Sequence, residues 1–101
     1  MISEKELKQE LKRLDLDHVK GMKSEMEFFL WDLSKMDEWN KNYKVESYLS
    51  GFYAIGTDGG GEMLTVELKS GFVYTIPFIS IDSSEKIKVS DSIIELVKLN
   101  K

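Results

Sequence analysis

The chain contains no cysteine, one proline (Pro77), one histidine (His18), and no apolar run longer than the four residues Phe28-Phe29-Leu30-Trp31. Without cysteine there is neither a disulfide framework nor thiolate chemistry. Runs this short exclude a membrane-spanning helix, which takes about 20 apolar residues. His18 lies in "LDLDHVKG" between Asp17 and Val19 and reads as a solvated loop residue, with no serine–histidine–acid arrangement to join. Positive charge is also scarce. Fourteen Lys and Arg against 18 Asp and Glu leave a net charge of −4. That balance argues against a nucleic-acid surface and suits a basic or amphipathic partner. The first residues, Met1-Ile2-Ser3-Glu4-Lys5-Glu6, are charged at once and offer no apolar stretch for a secretory signal. The cytoplasm is therefore the expected compartment.

What is present fits one domain. A chain of 101 residues that is 42% apolar and 32% charged can bury a single core and is not of disordered composition. "SEKELKQELKRLDLD" repeats Leu7, Leu11 and Leu14 at helical spacing, and Ser3 with Glu6 forms a capping-box start. Gly21 closes the segment that follows, and Glu25–Trp31 then predicts a short strand. Asp32 or Ser34 caps a helix through "LSKMDEWNKNYK", with Leu33, Met36 and Tyr43 on or near one face. "ESYLSG" has turn character and leads into a strand over Phe52–Gly56.

Next, Leu64, Val66 and Leu68 alternate with Thr65 and Glu67, which predicts a half-buried strand. Lys69-Ser70-Gly71 is a three-residue loop with glycine at the left-handed position. Phe72, Tyr74, Ile76 and Phe78 line one face of the next strand, which Pro77 marks as an edge or an end. "ISIDSSEKIKV" reads as a loop with a short strand. Ser92 and Glu95 open a last helix carrying Ile93, Ile94 and Val97 inward. The expected fold is α+β, an antiparallel meander packed by N-terminal, middle and C-terminal helices, in a single domain spanning 1–101. One sheet face is expected to pack helices and the other to stay partly open.

The most distinctive stretch is "FYAIGTDGGGEMLTV", in which Gly59, Gly60 and Gly61 stand between Asp58 and Glu62. A phosphate loop needs a following lysine and a helix N-terminus; here a strand follows and the flanking carboxylates repel phosphate. An EF-hand spacing is absent, and two carboxylates rarely hold calcium. The remaining reading is a hairpin corner whose glycines permit positive φ and close backbone approach. The paired acids Glu25/Glu27 and Asp37/Glu38 mark wet faces rather than an acid–base pair, and no metal, cofactor or catalytic residue is expected. Trp31 and Trp39 fit either core packing or an interface.

These residues also carry a resemblance. Ile55-Gly56-Thr57-Asp58-Gly59-Gly60-Gly61-Glu62, the strand pair ending in Val73-Tyr74, and the final helix at Ser92-Ile93-Ile94-Glu95-Leu96 resemble the C-terminal half of the SUKH superfamily. That superfamily groups a fungal cell-wall-synthesis regulator with many bacterial immunity proteins. "FFLWDLSKMDEWNKNY" is similar to the strand and helix that precede its glycine loop, so the resemblance spans roughly residues 26 to 98. The N-terminus departs from the pattern: no proline precedes Pro77, and Gly21 follows a lysine. The chain is thus read as a short or N-terminally divergent member.

The resemblance implies a non-catalytic protein-binding module, an immunity protein that neutralises a cognate toxin, a nuclease for instance, by complex formation. The alternative is a regulatory scaffold for a cellular partner unrelated to toxins. An acidic domain suits a basic secreted toxin through electrostatic steering, and neither nucleic acid nor membrane is an expected partner. The expected partner-binding residues are Asp58, Glu62, Tyr53 and Trp39, with Gly56, Gly59, Gly60 and Gly61 shaping the corner. A homodimer covering the open sheet face is a further expectation.

Overall fold

The computed structural model describes residues 2–14, 18–20, 27–79 and 81–98. Among these, four helices and six strands follow in the order α1 (Glu4–Leu14), β1 (His18–Lys20), β2 (Glu27–Leu30), α2 (Leu33–Asn42), α3 (Val45–Tyr48), β3 (Phe52–Thr57), β4 (Glu62–Glu67), β5 (Val73–Pro77), β6 (Ile87–Ser90) and α4 (Ile93–Lys98). A 3₁₀ turn at Ser83–Glu85 precedes β6. The fold is α+β, as the sequence predicts.

Local chemistry sets most boundaries. At α1 the Ser3 hydroxyl accepts the Glu6 N–H at 3.1 Å, while the Glu6 carboxylate accepts the Ser3 N–H at 3.3 Å. This is the reciprocal capping box read from the sequence. Of the two candidate caps for α2, the structure selects Asp32, whose carboxylate accepts the Ser34 N–H at 3.0 Å. Beyond Tyr43, Lys44 turns left-handed (φ 53°), and the chain restarts as α3 where the sequence suggests only a turn. Gly71 takes φ 81° in the β4–β5 loop, as its position requires. Ser92 caps α4 by accepting the Glu95 N–H at 3.0 Å. Within α4 Ile93 and Leu96 are buried, whereas Ile94 is 44% exposed and points away from the core; the Val97 side chain lies outside those described. Gly21 and the end of the first predicted segment lie outside the described residues.

The strands form one antiparallel sheet in chain order, β1 to β6. His18 belongs to β1, pairing with Phe29, and so stands in a strand rather than in the expected loop. Its strand is only three residues long, below what alternation can reveal in the sequence. Pro77 is the last residue of β5, where a missing N–H costs no ladder bond. β3 carries an irregularity between Ala54 and Gly56, which places Ile55 as the extra residue against β4.

The sheet is buried on both faces at its centre. On one side Leu7 and Leu11 of α1, Met36 of α2, and Ile93 and Leu96 of α4 pack on Tyr53, Ile55, Leu64, Val66 and Val73. On the other, Val45 of α3 and Leu49 just after it pack on Phe52, Ala54, Met63 and Ile76, with Trp31, Tyr43, Tyr74 and Phe78 at the margin. This corrects the expectation of a partly open face. β4 is buried at four successive positions, Met63 to Val66, because α3 and the aromatic margin cover what a three-helix reading leaves bare. Thr65, fully buried, bonds through its hydroxyl to the Tyr74 carbonyl at 3.1 Å. Helix α4 contacts both border strands, β1 and β6, so the sheet curls far enough for one helix to reach both edges.

Candidate functional site

The glycine stretch is the β3–β4 hairpin. Asp58 Oδ1 accepts the Gly60 N–H at 2.7 Å and the Glu62 N–H at 3.0 Å, and the Asp58 N–H donates to the Glu62 carbonyl at 3.1 Å. The Thr57 hydroxyl donates to the Glu62 carbonyl at 2.9 Å and accepts the Gly59 N–H at 3.0 Å. The corner is therefore tied by its own side chains. Gly59 (φ 79°) and Gly61 (φ 107°) adopt the positive φ that only glycine tolerates cheaply, whereas Gly60 does not. Gly56 has a different task. A Cβ there would stand 2.1 Å from the Phe29 carbonyl oxygen, so its bareness lets β2 lie against the irregularity in β3.

Glu62 is half-buried at the start of β4. Burial pushes its carboxyl above the usual range, and the nearby charges of Asp58 and Glu85 add to this against the opposing Thr75 hydroxyl. Asp58, Glu62 and Glu85 thus share one end of the sheet. None of the three forms an ion pair among the described residues.

Tyr53 is 3% exposed, so its ring offers a partner almost no surface. Its hydroxyl donates to Asp37 of α2, whose carboxylate also holds the Lys8 ammonium of α1 at 2.6 Å. Burial raises the phenol well above its ordinary range, and the Asp37 bond adds to the effect. Asp37 is held below its ordinary range by Lys8 first and Tyr53 second. Both shifts move away from neutrality, the opposite of what general acid–base work requires. The group joins α1, α2 and β3 mechanically. Beside it, a cleft of about 460 Å³ opens between α2, α3 and the start of β3, lined in part by Lys41, Lys44, Glu46 and Phe52.

Trp39 is 38% exposed and stacks on Trp31 at 5.4 Å between ring centroids. Tyr43 lies 5.8 Å from Trp39 and 4.9 Å from Phe78, so the rings form a continuous ledge from α2 to the end of β5. Ile79, next in the chain, is 99% exposed. The Phe78 N–H donates to the Gly61 carbonyl at 3.0 Å, which fixes the ledge against the glycine corner. The structure thereby connects Trp39 to the corner of Asp58 and Glu62 through Tyr43 and Phe78, and leaves Tyr53 apart, inside the fold.

Sequence reasoning missed Phe78, Ile79 and Glu85 as members of this surface. A signal for the first two lies in "IPFIS": proline stops the strand, so the apolar residues after it lose the ladder that would bury them. Among the described residues no three acid or histidine side chains are grouped to hold a metal ion, and no helix is long and apolar enough to cross a membrane. No protein-family model matches the chain, and no curated protein matches it either.

Proposed function

We propose that this chain is a non-catalytic protein-binding module of the SUKH type, a bacterial immunity protein that neutralises a cognate toxin by forming a complex with it. The observation that carries the reading is the ledge Trp39–Tyr43–Phe78–Ile79. It combines an exposed Trp39 stacked on a half-buried Tyr43, a half-buried Phe78 tilted against Tyr43, and a bare isoleucine, the side-chain types that anchor protein interfaces. The aromatic part is held rigid by stacking, so little conformational entropy is lost when a partner covers it. The resemblance of Ile55–Glu62 and the final helix to the immunity families supplies the biological setting, and the cytoplasm of the producing cell is where such an antidote would act.

The test is direct. The protein encoded beside this gene is purified, and its toxic activity is titrated with the chain. Inhibition saturating at one equivalent supports the proposal, and Trp39→Ala weakens it by about tenfold or more. A neighbouring protein that neither binds nor is inhibited at micromolar concentration removes it.

A further inference from the structure

The ledge ends on acid, and that juxtaposition selects the partner. Ile79 follows Phe78, whose N–H is bonded to Gly61. Gly61 precedes Glu62, and Glu62 pairs with Pro77 across β4 and β5. The 3₁₀ turn carrying Glu85 packs on β5, the same strand. A fully exposed isoleucine thus follows Phe78 at the end of the sheet that also carries Asp58, Glu62 and Glu85, none of which has an ion-pair partner among the described residues.

We infer that this end of the sheet, Phe78–Ile79 with the acids Asp58, Glu62 and Glu85, docks a cationic protein surface that offers Lys or Arg around an apolar pocket. The inference rests on the binding reading above and names the part of the molecule that does the binding. Carboxylates placed at one end of the sheet without a cation beside them gain from an incoming positive charge. Burial first, and then the charges of Asp58 and Glu85, disfavour the Glu62 carboxylate, which an incoming cation would relieve. Ile79, fully in water, gains from entering a pocket, while the corner beside it is already ordered by Asp58 and Thr57. A second copy of this chain is the poorer occupant, because a symmetric contact would press each acidic cluster towards its twin, on a molecule of net charge −4.

The experiment uses the isotopically labelled 101-residue chain and three synthetic peptides: an alternating Lys–Leu peptide, a Lys–Ser peptide and a Glu–Leu peptide. The Lys–Leu peptide is expected to shift amides of Gly59–Glu62 and Phe78–Ile79. It should bind at least about tenfold more tightly than either control, because both charge and apolar contact are needed. Ile79→Asp and the double variant Glu62→Gln/Glu85→Gln each lower that affinity, and raising the salt lowers it further. Both changes are at exposed or half-exposed positions, so folding is checked by an unchanged amide spectrum elsewhere. Shifts confined to other surfaces, or equal binding of all three peptides, overturn the inference. A concentration-dependent dimer abolished by Ile79→Asp also overturns it by assigning the face to a second copy. If the neighbouring protein binds the chain but is indifferent to Ile79→Asp, this surface is wrong while the binding function stands.

Discussion

The side-chain amide of Asn40 pairs with the backbone of Ala54 as a neighbouring strand would. Asn40 Oδ1 accepts the Ala54 N–H at 2.8 Å and Nδ2 donates to the Ala54 carbonyl at 2.8 Å. β2 accompanies β3 only at Thr57 and Gly56, with one further bond from the Trp31 N–H to the Ile55 carbonyl. Where β2 leaves to begin α2, the helix returns an amide to the vacated edge. Ala54 is fully buried, so its polar groups would otherwise lack partners away from water.

Asn40→Ala should therefore cost about 2–4 kcal/mol, since two buried backbone groups lose their partners at once. Asn40→Asp should be nearly as harmful, because a carboxylate cannot donate to the carbonyl. Urea unfolding of the three proteins measures this. A loss below about 0.5 kcal/mol for Asn40→Ala would falsify the strand-substitute role.

The glycines of the corner are not equivalent. Gly56→Ala sets a methyl group on the Phe29 carbonyl and should cost about 3 kcal/mol or more, because two paired strands must separate. Gly61→Ala should cost about 1–3 kcal/mol from its φ of 107°. Gly60→Ala meets only the Asp58 carboxylate, at 3.6 Å, and should change stability by less than about 0.5 kcal/mol. Thermal melts of the series check the order, and a damaging Gly60→Ala would contradict the geometry.

Glu62 gives a pH signature opposite in sign to that of ordinary paired carboxylates. Its folded-state pKa lies above its ordinary value of 4.5. Between those two values the folded protein binds a proton that the unfolded chain does not, so this group's contribution to stability falls as pH rises through the window. Glu62→Gln should melt higher than the wild type at pH 7, and the gap should close as pH drops towards 4.5. A variant that melts lower at pH 7 would show that the carboxylate is held by contacts stronger than its repulsions.

Asp37 behaves the other way. Lys8 and Tyr53 hold its folded-state pKa below the ordinary value of 3.8, so its stabilising contribution is complete above that pH and disappears as pH falls through the depressed value. Asp37→Asn should destabilise at pH 7 and show a weaker acid dependence below pH 3.8. Tyr53→Phe should cost about 1 kcal/mol at neutral pH, the usual worth of one such bond, and leave the surface unchanged. Parallel acid-unfolding curves for wild type and Asp37→Asn would rule this linkage out.

Features that depend on a few consecutive residues could be read from the sequence. Ser3 with Glu6, Asp32 with Ser34, and the turn at Gly71 all close within four positions, so their spacing determines their bonds. The corner at Asp58–Glu62 belongs to the same group. Long-range features left no such trace. Tyr53 looks like an interface residue until Asp37, sixteen positions away, takes its hydroxyl. Asn40 is one polar residue on a helix until Ala54 is beside it. α3 has no glycine or asparagine at its start, since Lys44 takes the left-handed turn, and "ESYLSG" therefore reads as a turn. Burial of the second face follows from that missed helix. In α4 the inward face passes through Ile93 and Leu96, three apart, whereas choosing Ile94 rotates the helix by one residue.

The reach of α4 to both β1 and β6 makes one short helix the keystone of a curved wall. Peeling it away would free both border strands of the helix that packs on them, and a border strand is a template on which strands from other molecules could grow. Loosening of that helix is therefore the event most apt to turn this domain into a seed for aggregates, and packing at Ile93 and Leu96 is the barrier against it.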